Sequence, residues 1–280
     1  MTTHAPLLAA HTNVSNIVVL QRRQLTAAAM PDRTIDEKVP MSSSPTPLAY
    51  GSTAIAVREL QLPPSDVARV NRYLDATRSS MLFGPRTILV EGIAEAILLP
   101  SLARKLFAED RIWTRFVGST IVAIDGVDFA PYLRILLTQT TSGRIAQRVA
   151  VITDTDPGKR NDPIGKLRQQ IIQLDATDVA EVFAAPSTLE PELLEAGNAE
   201  AFWPAWAIQR PTGAAKVRAL VDAARAADHR ARIVISAMKK TRLRKGDFAQ
   251  DFLDQVAAGD HDLHSPPYIS SALTWLVAAP

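Results

Sequence analysis

Two acidic motifs stand directly after apolar runs: Ile88-Leu89-Val90-Glu91-Gly92-Ile93-Ala94-Glu95, and Val149-Ala150-Val151-Ile152-Thr153-Asp154-Thr155-Asp156-Pro157. Carboxylates crowded into one crevice repel and raise each other's pKa unless a cation neutralises them. Oxygen-only ligands suit a hard divalent ion such as Mg²⁺ or Mn²⁺. The two motifs together therefore point to a metal-dependent phosphoryl-transfer site. Each also has a purely structural explanation. Glu91 and Glu95 at i and i+4 repel on one helix face but favour a helix N-terminus. Asp154-Thr155-Asp156-Pro157 could be an Asx turn.

Such residues need elements that hold them at one edge. From Thr87 onward the pattern alternates strand and helix. Expected strands cover 87–90, 120–124, 148–152 and 180–184. Between them run helices carrying Leu98, Leu99, Leu102 and Leu106, then Tyr132, Leu133, Leu136 and Leu137, then residues 164–174. Apolar strands without alternation, separated by helices, imply a parallel sheet covered on both faces. Functional groups in such sheets collect at the carboxyl ends of the strands, where both motifs fall. The fold class is α/β, with a helical extension over 214–256. Before the sheet, residues 64–82 carry helix signals, and Asn16–Leu20 reads as a strand. Residues 24–52, rich in Ala, Ser, Thr and Pro, read as a linker.

Composition bounds the rest. The chain has 280 residues with 47% hydrophobic content, enough for one large domain or two small ones. It has no Cys, which excludes disulfides and thiolate metal sites and leads to an expectation of a cytoplasmic protein. The five His show no zinc spacing. No apolar run approaches a membrane span, and the first residues lack the build of a signal peptide. Net charge is +2 and the pI near 9.0 leans towards an acidic partner. Lys239, Lys240, Arg242, Arg244 and Lys245 form a basic cluster. Asp125 and Asp128, after the second strand of the sheet, read as loop acids.

The motifs resemble the TOPRIM domain, a metal-binding module with a Glu after its first strand and an Asp-x-Asp after its third. Over residues 58–260 they more closely resemble the C-terminal half of the OLD (overcoming lysogenization defect) family of ATP-dependent endonucleases. In order, the matching residues are Arg58-Glu59-Leu60, Tyr73-Leu74-Asp75-Ala76-Thr77-Arg78, Glu91-Gly92-Ile93-Ala94-Glu95, Asp154-Thr155-Asp156, Thr188-Leu189-Glu190 and Lys245-Gly246-Asp247-Phe248-Ala249. The resemblance implies a Mg²⁺- or Mn²⁺-dependent DNA endonuclease. Glu91, Glu95, Asp154, Asp156 and Glu190 would be metal ligands, and Glu91, Asp154 and Lys245 catalytic. Thr2-Thr3-His4-Ala5-Pro6 resembles the switch-histidine segment of an ABC-type ATPase, yet no phosphate-binding loop precedes it. The expected division is residues 1–23 as an ATPase remnant, 24–57 as linker, 58–212 as TOPRIM domain with its lead-in helix, and 213–280 as helical extension. No ATP binding is expected. DNA is the expected partner, with a homodimer or a separate ATPase subunit beside it and no membrane. The other reading is a non-catalytic DNA-binding or assembly module. Topoisomerase chemistry ranks low, because Tyr50, Tyr73, Tyr132 and Tyr268 lack motif context.

Overall fold

The computed structural model describes residues 5–24, 50–74, 76–126, 128–155 and 162–278. In chain order the elements are α1 (Pro6–Ala10), β1 (Val18–Gln24), β2 (Tyr50–Ala56), α2 (Pro64–Tyr73), α3 (Ala76–Ser79), β3 (Arg86–Val90), α4 (Ile93–Leu106), α5 (Asp110–Val117), β4 (Ser119–Ala123), α6 (Ala130–Leu137), β5 (Arg148–Asp154), α7 (Pro163–Gln173), β6 (Ala180–Ala185), α8 (Leu189–Glu195), α9 (Ala199–Gln209), α10 (Ala214–Ala223), α11 (Ala227–Thr241), α12 (Lys245–Ala258) and α13 (Pro267–Val277). None of the described helices is long and apolar enough to cross a membrane.

The centre is a four-stranded parallel sheet in the order β4-β3-β5-β6. The two central strands, β3 and β5, are buried at successive positions after their first residue because both faces are covered. Ile88, Val90, Ala150 and Ile152 turn into one core, with Leu98, Leu99 and Leu102 of α4 and Phe202, Trp206, Phe248 and Phe252 of α9 and α12. Leu89, Val122, Val149, Val151 and Val182 turn into a second core, with Tyr132, Leu133 and Leu136 of α6 and Leu167 and Ile171 of α7. The chain leaves β3 towards β4 on one side and leaves β5 towards β6 on the other. That reversal opens a crevice between the carboxyl ends of β3 and β5, the usual place for a ligand in an open α/β sheet.

The sheet strands and helices fall where the apolar patterning places them. The N-terminal part differs. The expected strand at Asn16–Leu20 starts at Val18, because Asn13 caps a 3₁₀ turn over Val14–Asn16 and accepts a bond from the Ser15 N–H. Residues 50–56, expected as the end of a linker, form β2 and pair antiparallel with β1. Only Ile55 and Ala56 of β2 are buried, so its polar and small residues carry little strand signal.

Candidate active site

Glu91 is the first residue after β3, and Gly92 caps α4, which begins at Ile93. Glu91 therefore precedes the helix and does not share a helix face with Glu95, as the i, i+4 spacing allowed. Its side chain reaches across the crevice to β5. Oε1 accepts bonds from the Thr153 hydroxyl and from the Asp154 backbone N–H, the latter at 2.8 Å. The Glu91 carbonyl accepts from the Gly126 N–H at 3.3 Å. That loop, in which Asp125 has a positive φ of 53°, is itself gripped by Arg78. The Arg78 guanidinium donates to the Ala123 carbonyl at 3.0 Å and pairs with Asp125.

Glu95 lies in the first turn of α4 and is buried. Burial raises its pKa to about 7. A bond from its own backbone N–H and the Lys245 charge oppose the rise, and Glu190 and Glu91 add to it. Asp154 closes β5. Burial first, and then Glu91, Glu95 and Glu190, push its pKa to about 8 against the pull of Lys245.

Glu190 follows β6, in the first turn of α8, and is 1% exposed. Its Oε2 accepts from the Thr188 hydroxyl at 3.1 Å. Its Oε1 lies 3.3 Å from the Lys245 ammonium, an ion pair without hydrogen-bond geometry, and is left as a buried acceptor with no hydrogen bond.

Lys245 comes from far along the chain, at the start of α12. Phe248 and Phe252 root that helix in the first core, with Phe248 edge-on to Phe202 at 5.0 Å between ring centroids. The helix start can approach α4 because residue 246 is Gly. A Cβ there would stand 2.9 Å from Ile93 Cγ2. Burial pulls the Lys245 pKa down, but Glu190, Asp154 and Glu95 together outweigh it and the pKa is raised. Exposed Lys239, Lys240, Arg242 and Arg244 flank it.

Five of the six residues singled out in the sequence thus gather at one sheet edge: Glu91, Glu95, Asp154, Glu190 and Lys245. Asp156 lies outside the described residues, as do Thr2, Thr3 and His4. Asp125 and Asp128 pair with Arg78 and Arg69, in keeping with their reading as loop acids. Sequence reasoning missed the hydroxyls of Thr153 and Thr188, which orient two of the carboxylates. It also missed what Tyr268 does. Tyr268, at the start of α13, is buried beside the cluster. Burial first, then Asp154, Glu95, Glu192 and Glu190, drives its pKa well above the ordinary value, so its phenol stays protonated. A Tyr opening an apolar helix gives no sequence signal for this.

Among the described residues, no group of three or more His, Asp or Glu closes on one ion position. Glu91 is turned to Thr153 and Glu190 to Thr188 and Lys245. The donor set nonetheless fits a hard cation: four carboxylates cluster, one lysine faces three of them, and a buried Glu190 oxygen lacks a hydrogen bond.

Residues 82–156 match the family described as overcoming lysogenization defect protein-like, TOPRIM domain. This part of the chain is similar to an OLD-like TOPRIM domain. This segment takes in β3, β4 and β5, and with them Glu91, Glu95 and Asp154. The chain is also similar to the C-terminal region of the Burkholderia pseudomallei OLD protein, at 24% identity over 70% of this chain and 100% of that one, TM-score 0.44. Two structures of the C-terminal region of the Xanthomonas campestris pv. campestris OLD protein are similar at 24% identity. They cover 70% of this chain and 94% or 95% of theirs, with TM-scores of 0.47 and 0.48. No curated protein matches the chain.

Proposed function

We propose that this protein is a divalent-metal-dependent DNA endonuclease of the OLD type. One observation carries the reading: four carboxylates from three strand ends and a helix start cluster with a single lysine against three of them, and two of the four resist ionisation near neutral pH. Such a cluster is incomplete without more positive charge. Glu91, Glu95, Asp154 and Glu190, with Asp156, would hold Mg²⁺ or Mn²⁺. Bound as a pair, these ions would activate a water and stabilise the leaving 3′ oxygen. Lys245 would face the scissile phosphate and offset its developing charge. Thr153 fixes the Glu91 carboxylate, and the Arg78-held loop fixes its backbone. Lys239, Lys240, Arg242 and Arg244 would hold the DNA backbone with little sequence preference. A second copy or a separate ATPase subunit is the proposed protein partner.

The test is nicking of supercoiled DNA in Mg²⁺ or Mn²⁺, with EDTA as the blank. Nicking should vanish in Asp154→Ala and in Glu91→Ala, which remove carboxylates without opening the core. Activity surviving both substitutions refutes the assignment. A wild type that binds DNA and never cuts it leaves the binding-module reading in its place.

A further inference from the structure

Tyr268 brings an O–H to the edge where the carboxylates gather. Pro266 and Pro267 start α13, so Tyr268 falls in the first turn of that helix. Ile269, Leu273 and Leu276 bury the helix in the first core and fix its position on β5 and β6. Trp275 lies two turns further on, about 10 Å along the axis, and its carbonyl accepts a bond from Arg148 at the start of β5. The helix therefore runs back along the strand, with Tyr268 at the end nearer the carboxylates. Helical side chains lean towards the helix start, which carries the phenol further the same way. The charges of Asp154, Glu95, Glu192 and Glu190 all act on it.

The ring is packed and the hydroxyl is open. Tyr268 is 9% exposed and makes no hydrogen bond among the described residues. The fully buried side-chain oxygens without a hydrogen bond belong to Thr53, Thr87 and Glu190, so the Tyr268 oxygen is not sealed in the core. Glu91 is turned to Thr153, and Glu190 to Thr188 and Lys245, and neither takes up the phenol. A phenol keeps its proton at neutral pH and has one O–H to give. Buried polar groups are normally hydrogen-bonded, so the acceptor comes from outside the protein. A phosphodiester brings acceptor oxygens only, and among carboxylates it needs donors. A neutral O–H supplies one without competing for the ions that the carboxylates hold.

We propose that the Tyr268 hydroxyl donates a hydrogen bond to a non-bridging oxygen of the scissile phosphodiester, and that the bond strengthens as charge collects there in the transition state. The proposal rests on the nuclease reading. It makes Tyr268 a donor to the substrate and not a nucleophile.

The test compares wild type with Tyr268→Phe and Tyr268→Met in nicking of supercoiled DNA in Mn²⁺, with kcat and KM separated. Phe keeps the ring in the core and deletes one oxygen; Met is the second variant, should Phe fail to fold by circular dichroism. Loss of a donor aimed at developing charge should lower kcat on the order of 100-fold. KM for DNA and Mn²⁺ affinity by calorimetry should stay as in the wild type. Nicking at the wild-type rate by a folded variant overturns the proposal. So does a fall in Mn²⁺ affinity that accounts for the lost rate, which would assign the hydroxyl to the metal ligands. A covalent adduct between Tyr268 and DNA on a denaturing gel overturns it too. A wild type that binds DNA and never cuts it ends the nuclease reading and this proposal together. A wild type that cuts beside an equally active Tyr268→Phe ends this proposal alone.

Discussion

Replacing Glu95 with Gln should make the metal-free protein less sensitive to rising pH. The side chain is buried, and its pKa moves from 4.5 to about 7. A carboxyl whose folded pKa is raised binds more protons folded than unfolded. Its stability contribution is whole below 4.5, falls as pH rises between the two values, and is lost above the upper one. Integrating over that interval, ionisation of Glu95 costs less than about 1 kcal/mol at pH 5 and about 3 kcal/mol at pH 8. Glu95→Gln keeps the shape and removes the titration. Between pH 5 and pH 8 the wild type should therefore lose about 2 kcal/mol more than the variant. Loss of the like charge also relieves Asp154, which widens the gap. The assay is urea unfolding in EDTA, followed by far-ultraviolet circular dichroism, at four pH values from 5 to 8. Parallel pH profiles for wild type and variant would refute the electrostatic account of the cluster. Under the metal reading, Mg²⁺ at a hundred times its Kd returns about 2.7 kcal/mol to the wild type at pH 8.

Three further outcomes follow from the same geometry. Lys245→Met should cut nicking by on the order of 100-fold, the usual effect of losing one group that stabilises developing charge. It should also destabilise by about 3 kcal/mol, because buried Glu190 is left without its cation; adding Glu190→Gln should restore stability but not activity, as thermal melts and nicking assays will show. Arg78→Met should cost about 2 kcal/mol in urea unfolding, since it strips donors from the Ala123 and Ile124 carbonyls. Phe202→Ala should cost about 4 kcal/mol, because Phe202 is fully buried against Trp203, Trp206 and Phe248.

The sheet was legible in the sequence because it is covered twice. Strands such as Arg86–Val90 and Arg148–Asp154 must be apolar at successive positions, and the helices between them must be amphipathic. The β1–β2 ribbon lies outside that rule, and Tyr50, Ser52 and Ala54 are exposed, so nothing forces an apolar pattern on them. Glu91, Glu95 and Asp154 could be found from chemistry and position alone, since acids at strand ends are costly unless they are used. Glu190 and Lys245 were different. Their own surroundings, other acids near the one and other bases near the other, hid them, and only the order of motifs along the chain singled them out. The hydroxyl of Thr153 and the phenol of Tyr268 left no trace, because each depends on neighbours that only the fold supplies.

Helix α13 ties the two charged edges together. It packs along β5 and β6, against the strand direction, with Tyr268 beside the carboxylates and the carbonyls of Trp275, Leu276 and Val277 accepting bonds from Arg148, Arg86 and Arg115 at the opposite edge. Its positive end therefore faces the acidic edge and its negative end the basic one, which stabilises both. Half a charge at the helix start, with Lys245, does not neutralise the carboxylate cluster, and Glu95 and Asp154 keep raised pKa values beside both. The fold thus tolerates an excess of acid at the carboxyl edge of the sheet. Such an excess is complementary to a divalent cation, the component that the proposed metal-dependent reaction would bring to this edge.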